Sequence, residues 1–490
     1  MKNLEWRGVA GLLVAAGLAS SATTIAEAKD AGKIPITTQS EEARQLYLKG
    51  RGLADALRVA DAQKLYDDAV GKDPKFARAY YELANVAPTV KIFFEDLKKA
   101  KELAPGVSEG EREMILGLDA GVRGDLAGQK AHYSKVVELF PSDERGRMLL
   151  GNVYFAQQDY QAAVEEYKKA ASIEPGFSQP YNQLGYSYRF LGKFADAEQA
   201  LKRYIELIPA DPNPYDSYAE LLMKMGRFDE SIKSYQKALS CDRYFVASHI
   251  GIGNDNLFMG NAAAARKSYA ELTGVARNNG ERRQAFFWTA VSYVDEGQTE
   301  KALAEIDKMA ALAKADGDTA ALSGDANLAG NILLEAGDAE RAKAKFQETV
   351  DLIDKAEVPV EVKEAAKRTH LYEEARVDLA RHDVPGAKAK ADEYDRAVTA
   401  AKSIPFEVRR GHELAGRLAL ETKTYAAALT ALAGASQQDP RVLYLTALAH
   451  QGNGDAVKAK DACTRAANLN ELNGNYAYVR GKAKALLAKL

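Results

Sequence analysis

Small, aromatic and proline positions recur in the same order twice between residues 143 and 209, at a shift of 34 residues. The first set is Leu150, Gly151, Tyr154, Ala163, Tyr167, Ala170 and Pro175. The second set is Leu184, Gly185, Tyr188, Ala197, Leu201, Tyr204 and Pro209. A period of this length is typical of a helical-hairpin repeat. The pattern predicts that two helices cross closely at the small residues. Proline marks the end of each unit, because it cannot continue a helix.

A second periodic feature marks the turn inside each hairpin. Gly192, Gly226 and Gly260 stand 34 residues apart, each just before the predicted second helix. Glycine adopts the left-handed conformation of a helix end more easily than any other residue. The residues expected to bring paired helices together in the best-defined units are Gly151, Ala163, Gly185, Ala197, Gly253 and Ala265.

This arrangement resembles the tetratricopeptide repeat family, most closely between residues 143 and 209 and more weakly after residue 280. The resemblance implies an all-α solenoid in which stacked helical hairpins form a right-handed superhelix. It also implies that the first helix of each hairpin lines the concave face and that the second helix lies outside.

The spacing of the units predicts the organisation of the chain. The predicted segments are a signal peptide at 1–28, a linker at 29–40, an array of near-34-residue units at 41–277, longer and more divergent units at 281–473 and a capping helix at 475–490. Lysines on the last helix predict a solvated cap, because a solenoid needs a polar outer face at its end. Distant units of a linear stack are not expected to touch, so Cys241 and Cys463 are expected to remain unpaired.

The N-terminus has the features of a secretory signal. Lys2 and Arg7 precede an apolar run at 8–22, and small residues at Ala26 and Ala28 suit a cleavage site. The sequence therefore predicts an exported protein, periplasmic or secreted, in a bacterial envelope. An uncleaved N-terminal anchor is the alternative.

Candidate catalytic chemistry is sparse. The net charge of -3 and a pI near 6.2 give no basic face for nucleic acid. His412 and Glu413 begin like a zinc-protease helix, but Gly416 stands where the second histidine is required. The six histidines are scattered over separate units. We therefore expect no metal, no cofactor and no enzymatic activity.

Polar and aromatic residues on the predicted first helices suggest a binding surface. The candidates for a peptide-binding groove are Asn152, Phe155, Asn182, Tyr186, Arg189, Glu220, Met223 and Asn254. Asparagine is a poor helix former, and its amide both donates and accepts hydrogen bonds, which suits an extended peptide backbone. Tyrosine and arginine dominate binding energy at many interfaces.

The function expected from these residues is that of a non-catalytic scaffold or adaptor in the cell envelope, which holds a peptide segment of a partner protein. The alternative is an accessory of cell-wall or polysaccharide assembly that binds glycan or the enzyme that makes it, because aromatic residues also stack on sugars.

Overall fold

The computed structural model describes residues 32–56, 58–401 and 405–490. The predicted signal peptide at 1–28 lies outside the described residues. Within them the chain forms 25 α-helices and one short 3-10 turn, and it has no β-strand. The all-α prediction is confirmed.

The helices form twelve hairpins and one final helix. Units 1 to 6 are α1 (Glu41–Asp55) with α2 (Val59–Lys72), α3 (Ala77–Val86) with α4 (Val90–Leu103), α5 (Glu109–Val122) with α6 (Leu126–Leu139), α7 (Glu144–Ala156) with α8 (Tyr160–Ile173), α9 (Gln179–Phe190) with α10 (Phe194–Leu207) and α11 (Pro212–Lys224) with α12 (Phe228–Cys241). Units 7 to 12 are α13 (Val246–Phe258) with α14 (Ala262–Val275), α15 (Asn279–Asp295) with α16 (Thr299–Ala315), α17 (Thr319–Glu335) with α18 (Ala339–Lys355), α19 (Val360–Ala380) with α20 (Val384–Ala400), α21 (Pro405–Glu421) with α22 (Tyr425–Ala433) and α23 (Pro440–Gly452) with α24 (Ala456–Ala467). The final helix is α25 (Tyr476–Leu487).

Close helix crossings explain the small residues of the repeat. A Cβ atom added at Gly151 would lie 2.5 Å from the Tyr167 ring, and one added at Gly253 would lie 2.1 Å from the Tyr269 ring. At Gly185 the obstacle is the Leu201 side chain, again at 2.5 Å. The paired alanines of the second helices are fully buried, and these are Ala163, Ala197 and Ala265. The second helix therefore packs its large side chain directly on the backbone of the first.

The longer C-terminal units keep the same crossing. A Cβ at Gly330 would lie 2.5 Å from the Phe346 ring, and one at Gly416 would lie 2.6 Å from Leu432. Helix packing therefore explains the glycine at position 416, where a zinc-protease motif would require a histidine.

The turns inside the hairpins use the left-handed conformation. Gly192, Gly226 and Gly260 have φ angles of 71°, 74° and 87°. His382 and Lys423 take the equivalent place in later units with φ angles of 61° and 57°. Side chains with a Cβ are strained in this region, so these two turns are less favourable locally than the glycine turns.

Distant units touch one another, so the expectation of a linear stack without long-range contacts is wrong. Lys91 in unit 2 pairs with Glu357, just after unit 9, at 2.6 Å. Gln438, just before unit 12, donates a hydrogen bond to the Tyr160 hydroxyl in unit 4 at 2.7 Å. Near the N-terminus, Arg145 of unit 4 pairs with Asp55 of unit 1. The superhelix therefore turns back on itself. Both cysteines are nevertheless free thiols.

The described part of the predicted linker, residues 32–40, is bound to the array. The Ile34 amide donates to the Asp143 carboxylate at 2.9 Å, and the Thr37 amide donates to Glu111 at 2.8 Å. The Ile34 side chain is buried. The segment that precedes the first unit is therefore packed against units 3 and 4. No helix in the described ranges is long and apolar enough to cross a membrane.

We expect the substitution Gly253→Ala to destabilise the protein by about 1–3 kcal/mol, because the new methyl group would overlap the Tyr269 ring. The matched control is Gly274→Ala in the same hairpin, where a Cβ meets nothing within 4 Å. The control should be neutral or stabilising, since alanine is the better helix former. Urea unfolding of both variants checks this. Equal midpoints would contradict the close crossing.

Candidate partner-binding groove

We define the inner groove as the surface of the first helices of units 4 to 9, namely α7, α9, α11, α13, α15 and α17. All eight residues predicted to bind a peptide lie on the first four of these helices. Their exposure differs widely. Asn152 is exposed, whereas Met223 and Asn254 are completely buried.

Three of the predicted residues form one cluster across units 5 and 6. The Arg189 guanidinium lies 4.7 Å from the Tyr186 ring centroid and donates to Glu220 at 2.9 Å. The Tyr186 hydroxyl donates to the Ser217 hydroxyl at 3.4 Å. Burial raises the pKa of Tyr186 well above its usual value, so the phenol stays neutral. The cluster presents an aromatic ring and a partly neutralised cation side by side.

Three aromatic side chains, which contact one another, lie next to this cluster. The Phe155 ring centroid lies 5.3 Å from Tyr160 and 5.7 Å from Phe190, and Tyr160 stacks on Phe190 at 4.8 Å. Arg189 also lies over the Phe190 ring at 5.1 Å. Sequence reasoning named Phe155 as a binding residue and missed Tyr160. Tyr160 begins the second helix of its unit, where the repeat pattern gives no reason to expect a groove residue.

The three predicted asparagines have different surroundings. The Asn152 amide oxygen accepts a hydrogen bond from the Tyr167 hydroxyl at 2.8 Å. Asn182 is buried, and its amide oxygen has no hydrogen-bond partner in the described part of the chain. The Asn254 amide nitrogen donates to the Ile250 carbonyl at 3.0 Å. Asn182 is therefore the one of the three with an unused acceptor, which is unfavourable for a buried polar atom.

The chain's own C-terminal segment, residues 469–487, covers one end of the inner groove. The Tyr476 hydroxyl donates to the Asn254 amide oxygen at 3.0 Å, and the Tyr476 ring lies 4.9 Å from Phe258. Met223 is buried in a cluster that Leu472 completes. Neither Met223 nor Asn254 is open to an external peptide in this arrangement, which corrects their expected exposure.

Ion pairs fix the same segment. Arg480 pairs with Asp295 and donates to the Leu257 carbonyl at 3.0 Å. Lys224 of α11 pairs with Glu471 at 2.5 Å. Lys482, predicted to be part of a solvated cap, pairs with Glu335 at 3.2 Å. It remains exposed, as do Lys484 and Lys489, the other two lysines of the predicted cap.

Burial and neighbouring charges set the protonation of the groove carboxyls. Burial raises the pKa of Asp295, and Arg480 opposes this shift. Burial would also raise the pKa of Glu335, but Arg376, Arg417 and Lys482 together lower it to about 2. Glu335 is therefore ionised at neutral pH and attracts the basic α25.

Sequence reasoning missed the residues that hold the C-terminal segment, above all Tyr476, Arg480 and Asp295. A weak signal exists, because Tyr476 and Arg480 are four residues apart and so lie on one face of a helix. Their partners are about 185–222 positions away, and no local pattern identifies them.

The groove offers hydrogen-bonding amides, aromatic rings and paired charges, which suit non-covalent recognition of a polypeptide. The described residues contain no cluster of histidine, cysteine and acidic side chains that could hold a metal ion.

Stacked hairpins with close crossings at small residues define a helical-repeat solenoid. Family models described as tetratricopeptide repeat match residues 47–87, 178–211, 213–244 and 250–318, and one described as TPR repeat matches residues 151–192. The chain therefore contains tetratricopeptide repeats in these ranges.

Relatives share only part of their length with this chain. DnaJ homolog subfamily C member 7 from Homo sapiens is 26% identical over 136 residues, which is 28% of this chain and 21% of that protein. Hsp70-Hsp90 organizing protein 3 from Arabidopsis thaliana is 29% identical over 92 residues, or 19% of this chain and 16% of that protein. The chain thus matches about a fifth of the length of these relatives.

Solved structures show partial similarity. A tetratricopeptide repeat protein from Parabacteroides merdae is 18% identical, with a TM-score of 0.37, and the match covers 54% of this chain and 99% of that one.

A buried acid on α13 predicts a pH-dependent stability. Asp255 is fully buried, and neither carboxyl oxygen accepts a hydrogen bond from the described residues. The nearby Ser231 hydroxyl donates to the Ala219 carbonyl at 2.8 Å. Burial raises the pKa of Asp255 to about 8. Since the folded state favours the protonated acid, this stabilisation is complete below about pH 4 and is lost as the pH rises through about 8.

We therefore expect Asp255→Asn to become more stable relative to wild type as the pH rises, by about 2–3 kcal/mol between pH 5 and pH 7. Urea midpoints at pH 5, 7 and 9 measure this effect. The matched control is Asp229→Asn, which makes the same substitution at an exposed position on α12. An equal pH response in both variants would contradict the assignment.

Proposed function

We propose that this protein is an exported, non-catalytic scaffold of the bacterial cell envelope, and that its inner groove binds a polypeptide segment of a partner protein. One observation carries the proposal: the groove already accommodates polypeptide. Residues 471–482 of the chain contact α11, α13, α15 and α17 through hydrogen bonds, aromatic contacts and ion pairs.

The chemistry of the remaining groove supports the same function. Tyr186, Arg189 and Phe190 combine aromatic surface with a cation, which is the composition of energetic centres in protein interfaces. The name of one relative, an Hsp70-Hsp90 organizing protein, also describes action on other proteins.

Export rests on the sequence of the N-terminus. A positively charged start, an apolar run and small residues before residue 29 are the parts of a secretory signal. The described N-terminal segment then begins near Gly32 and binds units 3 and 4. In the proposal, the mature protein keeps this segment as part of its fold.

The groove is tested by affinity capture from the envelope fraction followed by mass spectrometry. We expect wild type to retain a partner that the double variant Tyr186→Ala and Arg189→Ala loses, because the aromatic and charged surface at units 5 and 6 is removed. The control is Arg243→Ala with Tyr244→Ala. This pair also makes a cation–π contact, with 5.1 Å from guanidinium to ring centroid against 4.7 Å in the groove pair, but it lies in the turn between α12 and α13.

Capture of the same proteins by wild type and the groove variant would contradict binding at units 5 and 6. Retention of glycan in place of any protein would favour the alternative role in cell-wall or polysaccharide assembly.

Export is tested on the mature protein in its native host. We expect intact-mass analysis of the envelope fraction to give a chain that begins at Lys29, because cleavage should follow Ala28. A chain that retains residues 1–28, or one found only in the cytoplasm, would contradict the proposed export.

A further inference from the structure

The C-terminal helix α25 has two faces with different chemistry. One face is apolar: Ala483 and Leu486 pack with Cys463 and Ala466 of α24 in one hydrophobic cluster. This face continues the repeat stack. The other face carries Tyr476, Arg480 and Lys482 and meets α13, α15 and α17. The same helix therefore ends one part of the array and docks on another.

The docked segment is held by polar and apolar contacts together. Its polar contacts include Glu471 with Lys224, Tyr476 with Asn254, Arg480 with Asp295, and Lys482 with Glu335. Tyr476 and Ala477 also belong to a buried apolar cluster with Trp288. The hairpin crossings, in contrast, are apolar and closely packed. The pair of Arg480 with Asp295 is largely buried, whereas Lys482 in its pair with Glu335 is half exposed. Removing Arg480 and Lys482 therefore weakens the docked interface and leaves the hairpin crossings unchanged.

The fit of the docked segment is incomplete. A cavity of about 500 Å³ remains between the segment and the groove. On the groove side it is lined by Phe287, Trp288, Val291, Val294, Leu328 and Ile332, and on the segment side by Leu472, Asn475 and Tyr478. This cavity is half open to solvent, and it has room for more apolar bulk than the present occupant of the groove supplies.

We propose that residues 469–482 are an internal competitor for the inner groove, and that the external partner is a helical segment of the same chemistry. The partner carries an acidic residue, an apolar residue, a tyrosine and an arginine at the spacing of Glu471, Leu472, Tyr476 and Arg480. It has larger apolar side chains that fill the cavity. This inference rests on the proposed function, since it names the partner chemistry of the same groove.

Displacement follows from simple competition. A segment tethered to its own groove acts at a high effective concentration, so an external segment binds with an apparent affinity reduced by the small fraction of open molecules. Weakening the internal contacts raises that fraction and tightens external binding without any change in the groove. Because the apolar face of α25 stays packed on α24, opening requires the C-terminal units to move as a body and leaves the hairpins intact.

The test uses purified full-length protein and a fluorescent synthetic peptide of residues 469–490. Fluorescence anisotropy should show binding at least about tenfold tighter to the double variant Arg480→Ala and Lys482→Ala than to wild type, because loss of two ion pairs favours the open state. The control variant is Lys460→Ala with Lys489→Ala, which removes two positive charges from exposed positions. It should bind the peptide as weakly as wild type.

Peptide variants make the test independent of protein folding. The peptide carrying Tyr476→Phe and Arg480→Ala should lose binding to the open variant, because it lacks the donors for Asn254 and Asp295. Circular dichroism should show that both protein variants keep the helical content of wild type.

Equal peptide binding by wild type, open and control variants, or binding that survives the change in the peptide, would overturn the proposal. Light scattering that finds a dimer of wild type with exchanged C-terminal helices would also overturn it, because the segment would then join two copies. None of these results depends on the envelope partner. The capture experiment at Tyr186 and Arg189 therefore tests the proposed function separately.

Discussion

The close crossing of two helices at a glycine or alanine is the constraint on which the rest of this structure depends. Where Gly253 meets Tyr269 there is no space for even one more carbon atom. The short distance lets an aromatic side chain of the second helix cover the backbone of the first. Each hairpin then presents a regular surface to the next hairpin. Repetition of this contact converts a local packing rule into a long array with a continuous inner face.

Contacts between distant units hold the array in a shape that turns back on itself. Tetratricopeptide units are joined mainly to their neighbours, so a solenoid can bend or open at modest free-energy cost. Here, polar bridges such as Lys91 with Glu357 and Tyr160 with Gln438 join units that are far apart in sequence. Apolar contacts act in the same way, since Tyr476 and Ala477 share a buried cluster with Leu257 and Trp288.

The inner groove combines binding chemistry with unfavourable burial of polar groups. Asn182 has an unused acceptor, and Asp255 is a carboxyl group without a hydrogen-bond partner among the described residues. Buried groups of this kind do not stabilise a fold unless they are paired. Their concentration on α9 and α13, beside the paired Arg189 and Arg480, distinguishes this face from the apolar crossings behind it.

The sequence by itself determined the repeat, the all-α class and the turns. These features depend on contacts between residues close in the chain, and a 34-residue period displays them directly. It also identified Tyr186, Arg189 and Glu220, which the structure brings together, because their places on successive first helices follow from the period. The sequence did not predict that Met223 and Asn254 are buried. Only the tertiary structure decided that Leu472 and Tyr476 cover them. The curvature that brings α25 back to α13 is the sum of small rotations over many units, and no local pattern of residues encodes that sum.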